Sequence, residues 1–255
     1  MITGNYFELL REFFITDFKL RYKHSYLGFL WVVLKPLSYY VVLFVIWTSL
    51  LGKGEDFASY LMLGILTLTY FVDGVIFGMQ SLYNKAHIIL KVNFPREVVV
   101  FSAIGIAATN FFINLGIYFL ARIVSGKPLI SEFWYWGLLA IILETILLLG
   151  ISFFTSIITV TMQDIKHLIE LVLQLIFWAT PIFYSLSSLP AWLGQTLTIV
   201  NPLVIIVSLL RAGLIGEALT INPWHILVFS VGVVVFTVLG YIFFKAKLPK
   251  IAERF

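Results

Sequence analysis

Two acidic residues, Asp73 and Glu144, lie inside runs of apolar residues and are the first candidates for chemistry. A carboxylate within an apolar segment is a functional candidate by default, because lipid makes an unpaired charge costly. Either residue could relay a proton or cation, as in a secondary transporter, or could make a hydrogen bond between helices. The sequence has neither inverted repeats nor matching Gly-broken or Pro-broken segments, so the hydrogen-bonding interpretation is favoured.

The usual motifs of enzymes and metalloproteins are absent from the sequence. No G-x-x-x-x-G-K-[ST] loop occurs, since Gly126-Lys127 is followed by Pro128, and no G-x-S-x-G occurs either. The four His residues include no pair at i, i+4, and there is no Cys, so a metal site is not expected. We therefore predict a chain without catalytic residues, metal or cofactor of its own, and without a nucleic-acid partner.

Aromatic residues are the more informative group inside the apolar runs. Rings at the ends of these runs, such as Trp31 and Trp224, fit the aromatic belts of membrane proteins. Tyr and Trp at mid-depth need a partner for their O–H or N–H, which a polar path through the protein supplies. Because pyranose rings present apolar C–H faces between hydroxyls, we predict that aromatic residues line a sugar path. The candidates are Tyr39, Tyr40, Trp47, Tyr70, Phe71, Phe177, Trp178, Phe183 and Tyr184.

The composition places these residues in a membrane protein. Of the 255 residues, 61% are hydrophobic and 12% are charged, whereas soluble domains average about 25% charged. Runs of roughly 20 nearly uncharged residues match the hydrocarbon core, and without strict alternation each is predicted to be a helix. The sequence therefore predicts an all-α integral membrane protein with one transmembrane domain over residues 1–255. The six predicted spans are 29–51, 58–79, 98–121, 133–160, 168–184 and 224–244.

Basic residues are distributed unevenly between the two ends of these spans. Thirteen of the 17 Lys and Arg residues fall on one side, whereas the other side holds Lys53, Arg122, Lys127 and Arg211. Because loops rich in Lys and Arg stay in the cytoplasm, both termini are predicted to be cytoplasmic. The small formal net charge of +4 conceals this asymmetry.

Residues 186–221 are too apolar for an ordinary outer loop, yet Pro190, the pair Asn201-Pro202 and Arg211 interrupt them. The apolar pieces on either side of Asn201 are each about 20 Å long as helices, too short to cross a bilayer. We predict a re-entrant helical hairpin that enters from the outer face, where protein must cover its broken backbone. The alternative is a pair of interfacial helices lying flat on the membrane.

Residues 5–25 are amphipathic rather than spanning, with apolar and charged side chains on opposite faces of a helical wheel. We predict a helix lying along the cytoplasmic headgroups. Asp17 and Arg21 fall on its apolar face four residues apart, which predicts either an ion pair or a local break in the helix.

A second short amphipathic helix is predicted over residues 82–92, with Lys85, His87 and Lys91 exposed. It connects two predicted spans on the cytoplasmic side. Such a helix either rests on the membrane surface or docks a soluble partner, and the pattern alone favours neither.

Three segments of the sequence resemble a known family of membrane proteins. Residues 21–37 match the pattern R-Y-K-x-S-x-L-G-x-L-W-x-x-x-x-P-L, and residues 94–97 match F-P-R-E. Residues 180–203, with T-P-I-F-Y, L-P and N-P-L, resemble the outer region of the same family. In this order, the segments resemble the membrane subunits of polysaccharide ABC exporters, the type-2 permease group, and most of all its O-antigen branch.

The resemblance implies a homodimer of six-span subunits in the bacterial inner membrane, paired with two ATP-hydrolysing subunits that bind ATP and Mg. The implied cargo is lipid-linked polysaccharide, which moves from cytoplasm to periplasm through a channel in the homodimer. Residues 5–25 correspond to an interface helix, residues 82–92 to a coupling or gate helix and residues 186–221 to a periplasmic gate. The interface motif is Asp17, Arg21, Tyr22, Lys23, Ser25 and Gly28; the coupling residues are Tyr83, Lys85, Ala86, His87, Ile89, Leu90 and Lys91; the gate residues are Pro181, Pro190, Asn201, Pro202 and Arg211.

Other functions stay open at this point. The polymer could be a capsule or a teichoic acid instead, and a proton-coupled transporter would use Asp73 or Glu144. An integral membrane transferase is disfavoured, because the outer loops at residues 52–57 and 125–132 are short and poor in polar groups. The resemblance does not identify the sugar or the lipid carrier.

Overall fold

The structure of the chain, a computed structural model, describes residues 6–23, 26–51 and 56–251. In this part of the chain every regular element is helical, which confirms the predicted all-α class. Short 3-10 turns at Gly28–Leu30 and Leu186–Ser188 accompany the α-helices. The α-helices are α1 (Tyr6–Tyr22), α2 (Trp31–Leu51), α3 (Asp56–Asn84), α4 (Ala86–Ile89), α5 (Glu97–Val124), α6 (Trp134–Thr161), α7 (Ile165–Ala179), α8 (Ala191–Val200), α9 (Pro202–Ile215) and α10 (Pro223–Ile251).

Within the described residues, α2, α3, α5, α6 and α10 are long and apolar enough to cross a bilayer. The helices α8 and α9, bent by 97° at Asn201, give a sixth candidate if they are counted as one span. The region of the predicted span 168–184 contains the shorter α7, whose 15 residues extend over about 22 Å. This helix stops at Ala179 because Pro181 favours an extended backbone at Thr180, which has φ −90° and ψ 133°.

The core of the protein lies where α3, α5, α6 and α9 pack together. Small residues let the helix backbones approach each other closely. A Cβ atom on Gly78 of α3 would lie 1.8 Å from the Ser152 hydroxyl oxygen of α6, and one on Gly213 of α9 would lie 2.2 Å from the amide nitrogen of Gly137 in α6. Such contacts are typical of helices in lipid, where dispersion and close packing hold neighbouring helices together.

The two helices of the predicted hairpin differ in burial. Eleven of the 14 residues of α9 are buried, and they contact α3 and α6. Across Ala191–Val200, all of which the structure describes, no residue of α8 is buried. A helix covered by protein on nearly all sides does not lie flat on a membrane surface, so the interfacial alternative is excluded for α9.

Two helices at the periphery, α2 and α7, are lightly attached to this core, whereas α10 packs closely along α6. Between Trp31 and Ser49 of α2, the buried residues are Val32 and Pro36. Helices α7 and α10 likewise turn many apolar side chains outward. The amphipathic helix α1 packs beside α5. The chain therefore combines a closely packed centre with an outer first span that few contacts hold in place.

Candidate transport cleft

A lateral cleft of about 430 Å³ lies between α2, α3 and α7. Its lining combines aromatic rings with hydrogen-bonding groups, and aliphatic residues of α3 complete the wall. Such a surface suits a ligand that has both apolar faces and hydroxyl groups. The aromatic lining residues are Tyr39, Phe177 and Trp178, and the polar ones are Lys35, Thr69, Glu170 and Gln174.

The helical repeat places the lining residues of α7 on one face. Glu170, Gln174 and Trp178 follow each other at i, i+4 and i+8, just as Lys35 and Tyr39 are one turn apart on α2. In both helices the charged residue comes first along the chain and the aromatic residue follows. The C-terminal end of α2 contacts the segment just after α7, so the two helices run in the same direction. One end of the cleft is therefore charged and the other is aromatic.

Lys35 makes an ion pair in the wall of the cleft. Its Nζ lies 3.3 Å from Oδ1 of Asp73 on α3. The Lys35 side chain is 47% exposed and that of Asp73 is 15% exposed, so the amine lies towards the cleft and the carboxylate lies behind it. Asp73 thus makes a contact between helices, as the favoured interpretation of the sequence requires. Glu144 of α6 is also buried, and its Oε1 has no hydrogen-bond partner among the described residues.

The first span carries a proline, Pro36, one turn inside its start. Proline has no amide N–H, so the carbonyl of Val32, four residues earlier, has no donor within its own helix. Asn114 of α5 supplies one, because its Nδ2 donates to the Val32 oxygen at 3.0 Å and to the Asn110 oxygen at 2.8 Å. The side chain of Asn114 therefore completes a hydrogen bond of α2 and fastens this helix to α5.

Three of the nine predicted path residues, Tyr39, Phe177 and Trp178, line this cleft. The Trp47 ring stacks on Phe183 with centroids 4.8 Å apart, near the C-terminal end of α2. The edge of Trp178 also meets the Phe183 ring at 6.2 Å, so Phe183 links the rings of α2 and α7. Tyr184 follows in the chain, and its hydroxyl donates to the Ala179 carbonyl at 3.2 Å.

The other three predicted path residues lie away from the cleft. Tyr70 and Phe71 are each 2% exposed in the core of the protein. The Tyr70 hydroxyl is 2.8 Å from Oγ1 of Thr145, so its hydrogen-bond partner lies on the neighbouring helix α6. Tyr40 lines a second cavity of about 560 Å³ on another side of α2, between α2, α3 and α5. Our prediction of the path from aromatic residues alone therefore combined rings that face in different directions.

The polar residues of the cleft were absent from our predicted path. Glu170 and Gln174 precede Trp178 by two turns and one turn of α7, and Lys35 precedes Tyr39 by one turn of α2. This spacing was a usable signal, because residues four apart share a helix face. Thr69 gave no comparable signal, because Thr in a helix commonly bonds its own backbone, as Thr69 does with the Ile65 carbonyl at 2.7 Å.

At the end of the bundle where α7 ends, Arg211 of α9 forms a clamp between three parts of the chain. Its Nη1 donates to the Pro181 carbonyl at 2.8 Å, its Nη2 to the Ile182 carbonyl at 2.9 Å and its Nε to the Tyr60 carbonyl at 3.1 Å. The guanidinium carbon also lies 3.3 Å from the centroid of the Tyr60 ring. Gly64 leaves space for this group, because a Cβ there would lie 2.8 Å from Nη2.

Other predicted gate residues shape the same region. Asn201 caps α9, because its Oδ1 accepts from the Leu203 amide at 3.0 Å, and Pro202 follows at the first helical position. Its Nδ2 donates to Thr180 Oγ1 at 2.9 Å, which ties α9 to the segment after α7. Pro190 immediately precedes α8. Burial raises the pKa of the Glu217 carboxyl after α9, and Arg211 opposes this shift.

At the opposite end, the predicted coupling segment divides between two helices. Tyr83 belongs to the end of α3, and only Ala86–Ile89 form a separate helical turn, α4. His87, Leu90 and Lys91 are exposed. Ile89 is 4% exposed and packs into a small apolar cluster with Phe153 and Phe244 among its members. The segment thus combines an anchored side chain with an exposed outer face.

The predicted interface helix, α1, contacts the predicted coupling segment directly. Asp17 of α1 pairs with Lys85, and the Ser102 hydroxyl of α5 lies 3.4 Å from the same carboxylate. The Arg21 guanidinium carbon lies 3.5 Å from the centroid of the Phe77 ring of α3. The local Asp17–Arg21 ion pair stays a prediction. In the same motif, Lys23 is exposed, Gly28 begins a 3-10 turn with φ 45°, Tyr22 ends α1, and Ser25 lies outside the described residues.

Long apolar helices, a bent pair whose second helix is buried and a lateral cleft define a multi-pass membrane protein suited to transport. The model of the ABC-2 type transporter family matches residues 8–215, and the chain belongs to this family. It is a membrane permease subunit, a class that carries no cofactor and relies on nucleotide bound by a partner ATPase. Our recognition of the family from three sequence segments is thereby confirmed.

Individual relatives agree with this membership. The chain is 28% identical to an O-antigen export system permease protein RfbA of Klebsiella pneumoniae, over 98% of this chain and 96% of the relative. A second protein of that name and organism is 26% identical over the same shares. One from Myxococcus xanthus is 26% identical over 74% of this chain and 73% of the relative.

Proposed function

We propose that the chain is the permease subunit of an ATP-driven exporter for a lipid-linked, O-antigen-like polysaccharide. Two copies form the transmembrane unit in the bacterial inner membrane, with both termini in the cytoplasm, and two ATPase subunits bind below them. The observation that carries the proposal is the cleft between α2, α3 and α7, whose lining matches the chemistry of sugars. The similarity to O-antigen export permeases supports the choice of polymer.

Sugars pass along the cleft by exchanging weak contacts. The rings of Tyr39, Phe177 and Trp178 pack against the C–H faces of pyranoses, while Gln174 and Thr69 exchange hydrogen bonds with hydroxyls. Stacking on rings tolerates many orientations, so no single sugar is held in a deep site. The polymer therefore slides through the cleft without a large barrier at each repeat.

Movement of the outer helices opens this path in our proposal. Helix α2 has few buried residues, and α7 is half the length of most of its neighbours, so both can shift against the core at low cost. The partner ATPase contacts α4 and α1, which are joined by the Asp17–Lys85 pair. Closure of the ATPase pair then moves α1 and α4 together and displaces α2 and α7.

Removal of the cleft rings tests this proposal. We expect the triple variant Tyr39→Ala, Phe177→Ala and Trp178→Ala to lower surface polysaccharide at least tenfold, because the path loses its stacking surface. The measurement is the polysaccharide on whole cells, with the permease in the membrane quantified alongside.

The matched control removes exposed rings that lie outside the cleft. Trp134 and Tyr135 at the start of α6 are about half exposed. The double variant Trp134→Ala and Tyr135→Ala should retain export within about twofold. Normal surface polysaccharide in the triple variant, at equal permease levels, would show that the cleft is not the path.

A further inference from the structure

A second cavity, of about 560 Å³, lies between α2, α3 and α5, on another side of α2 from the cleft between α2, α3 and α7. One part of its wall is apolar, with Leu37, Phe44, Met62 and Ile117 among the lining residues. The other part lies where α3 begins and α5 ends, and its polar lining residues are Ser59, Tyr118, Arg122, Ser125 and Lys127. A cavity that has both an apolar and a polar part suits an amphiphilic ligand.

The polar part of this cavity lies at the depth of lipid headgroups. Residues 98–121 of α5 carry no charge, and Glu97 and Arg122 stand at the two ends of this run. At 1.5 Å per residue these two residues are about 38 Å apart along the helix axis, whereas the hydrocarbon core of a bilayer is about 30 Å thick. Arg122 therefore lies outside the hydrocarbon core when α5 spans the membrane, and Ile117, more than one turn earlier, lies nearer to its middle.

Arg122 is buried, with 8% of its surface exposed, and its hydrogen-bond partners are neutral. Its Nε donates to the Pro128 carbonyl at 2.8 Å, its Nη2 donates to the same oxygen, and its Nη1 donates to the Ser59 hydroxyl at 3.3 Å. In the described part of the chain, no carboxylate forms an ion pair with this guanidinium. A buried charge is costly without a counter-charge. A guanidinium also has five N–H groups, so donors remain for a phosphate, whose geometry it matches well.

Tyr118 adds an unused polar group to the same wall. It precedes Arg122 by one turn of α5, and its ring centroid lies 6.0 Å from the guanidinium carbon. Tyr118 is 4% exposed, and its hydroxyl has no hydrogen-bond partner among the described residues. Buried hydroxyls in proteins nearly always have a partner. An acceptor oxygen from a ligand in the cavity satisfies this requirement.

We propose that the cavity binds a phospholipid with an anionic headgroup, such as phosphatidylglycerol. The phosphate accepts hydrogen bonds from Arg122 and Tyr118, and an acyl chain lies along the apolar wall between α2 and α5. A zwitterionic headgroup fits less well, because its ammonium group brings a second positive charge close to Arg122. The lipid is distinct from the cargo, since the cavity and the proposed sugar path lie on different sides of α2. It fills the space between the first span and the core, where α2 has few buried residues.

Native mass spectrometry of the purified full-length permease tests this site. The probes are phosphatidylglycerol and phosphatidylethanolamine with identical acyl chains, together with a polyprenyl phosphate. We expect phosphatidylglycerol to bind at least tenfold more tightly than phosphatidylethanolamine, and Arg122→Met to remove this preference. Equal affinities of the unmodified permease for the two phospholipids would overturn the inference. Displacement of phosphatidylglycerol by an equal amount of polyprenyl phosphate would also overturn it, because the site would then belong to a lipid carrier.

A cavity-filling variant tests the location without removing a polar group. Ala121 lines the cavity, and Ala121→Phe should weaken phosphatidylglycerol binding at least tenfold by occupying its space. The control Val124→Phe adds a ring to the same helix at a residue that is 89% exposed and outside the described lining, and it should bind the lipid within about twofold of the unmodified chain. Phosphatidylglycerol binding that is unchanged in Ala121→Phe would show that the lipid binds elsewhere. This measurement decides the matter even if Arg122→Met does not fold.

Discussion

At the scale of single residues, the hydrogen bond from Asn114 to the Val32 carbonyl leads to a prediction about the stability of the protein. The contact exists because Pro36 offers no N–H to that carbonyl, and the two atoms are 3.0 Å apart in a buried environment. Asn114→Leu leaves the carbonyl unpaired, at a cost of about 1–3 kcal/mol. We expect a lower midpoint of thermal unfolding for the purified permease in detergent, and weaker attachment of α2.

Pro36→Ala is the matched second change. It restores an N–H to α2 at the position that reaches the Val32 oxygen, so Asn114 becomes dispensable for that carbonyl. In the Pro36→Ala background, Asn114→Leu should therefore lower the unfolding midpoint by half as much or less. If Asn114→Leu lowers the unfolding midpoint equally in the unmodified chain and in the Pro36→Ala variant, Asn114 stabilises the protein through other contacts.

The aromatic residues show which part of the site could be predicted from the sequence. Among the predicted mid-depth rings, Tyr39 and Trp178 line the cleft between α2, α3 and α7. The same criterion also included Tyr70, which is buried against Phe111 with ring centroids 4.9 Å apart. A single sequence gives the face of a helix on which a residue lies. Which neighbouring helix that face contacts depends on how the helices pack. The sequence therefore did not separate rings that line the cleft from rings buried in the core.

At the scale of elements, the Arg211 clamp determines how the segment after α7 is held. The Arg211 guanidinium donates three hydrogen bonds, one to the Tyr60 carbonyl of α3 and two to the carbonyls of residues 181–182. Arg211→Met removes all three donors and leaves buried carbonyls without partners, which we expect to cost at least about 3 kcal/mol. Arg211→Lys should retain only part of the stability that Arg211→Met loses, because the single ammonium group of lysine does not reproduce the planar array of donors.

Hydrogen exchange by mass spectrometry measures this effect locally. In Arg211→Met, amides of residues 180–185 should exchange at least tenfold faster than in the unmodified chain. Arg122→Met is a suitable control, because Arg122 is another buried arginine, and its Nε donates to the Pro128 carbonyl at 2.8 Å. That variant should instead affect residues 125–130. Unchanged exchange at 180–185 in Arg211→Met would show that the clamp does not hold this segment.

Helix boundaries were predictable where composition alone decides them. The uncharged run at 98–121 lies within α5, and the run at 133–160 nearly coincides with α6. The predicted run 58–79 ended at polar residues, yet α3 continues to Asn84 because polar side chains do not end a helix outside the apolar layer. The boundary at Ala179 could have been found from Pro181, since the residue before a proline disfavours helix.

At the scale of the whole molecule, a packed centre is surrounded by a rim in which few contacts hold α2 and α7. The peripheral helices α2, α7 and α10 expose apolar side chains that lipid or a second copy must cover. The rim also includes the proposed ATPase contact at α4, which Asp17 of α1 joins through Lys85. In the proposed mechanism, force from the ATPase passes through these edges while the core keeps its shape. The docking of the ATPase is therefore the prediction that tests the arrangement as a whole.

Single cysteines locate this docking surface, because the chain contains no cysteine of its own. His87 is exposed on α4, whereas Ile89, two residues later, is 4% exposed. In the assembled complex, His87→Cys labelled with a photoreactive maleimide should crosslink to the ATPase subunit. Ile89→Cys should give at least tenfold less product, because its thiol faces the cluster around Phe153 and Phe244. Absence of the His87 crosslink in a complex that copurifies with its ATPase would place the docking surface elsewhere, and α4 would then be a membrane-surface helix.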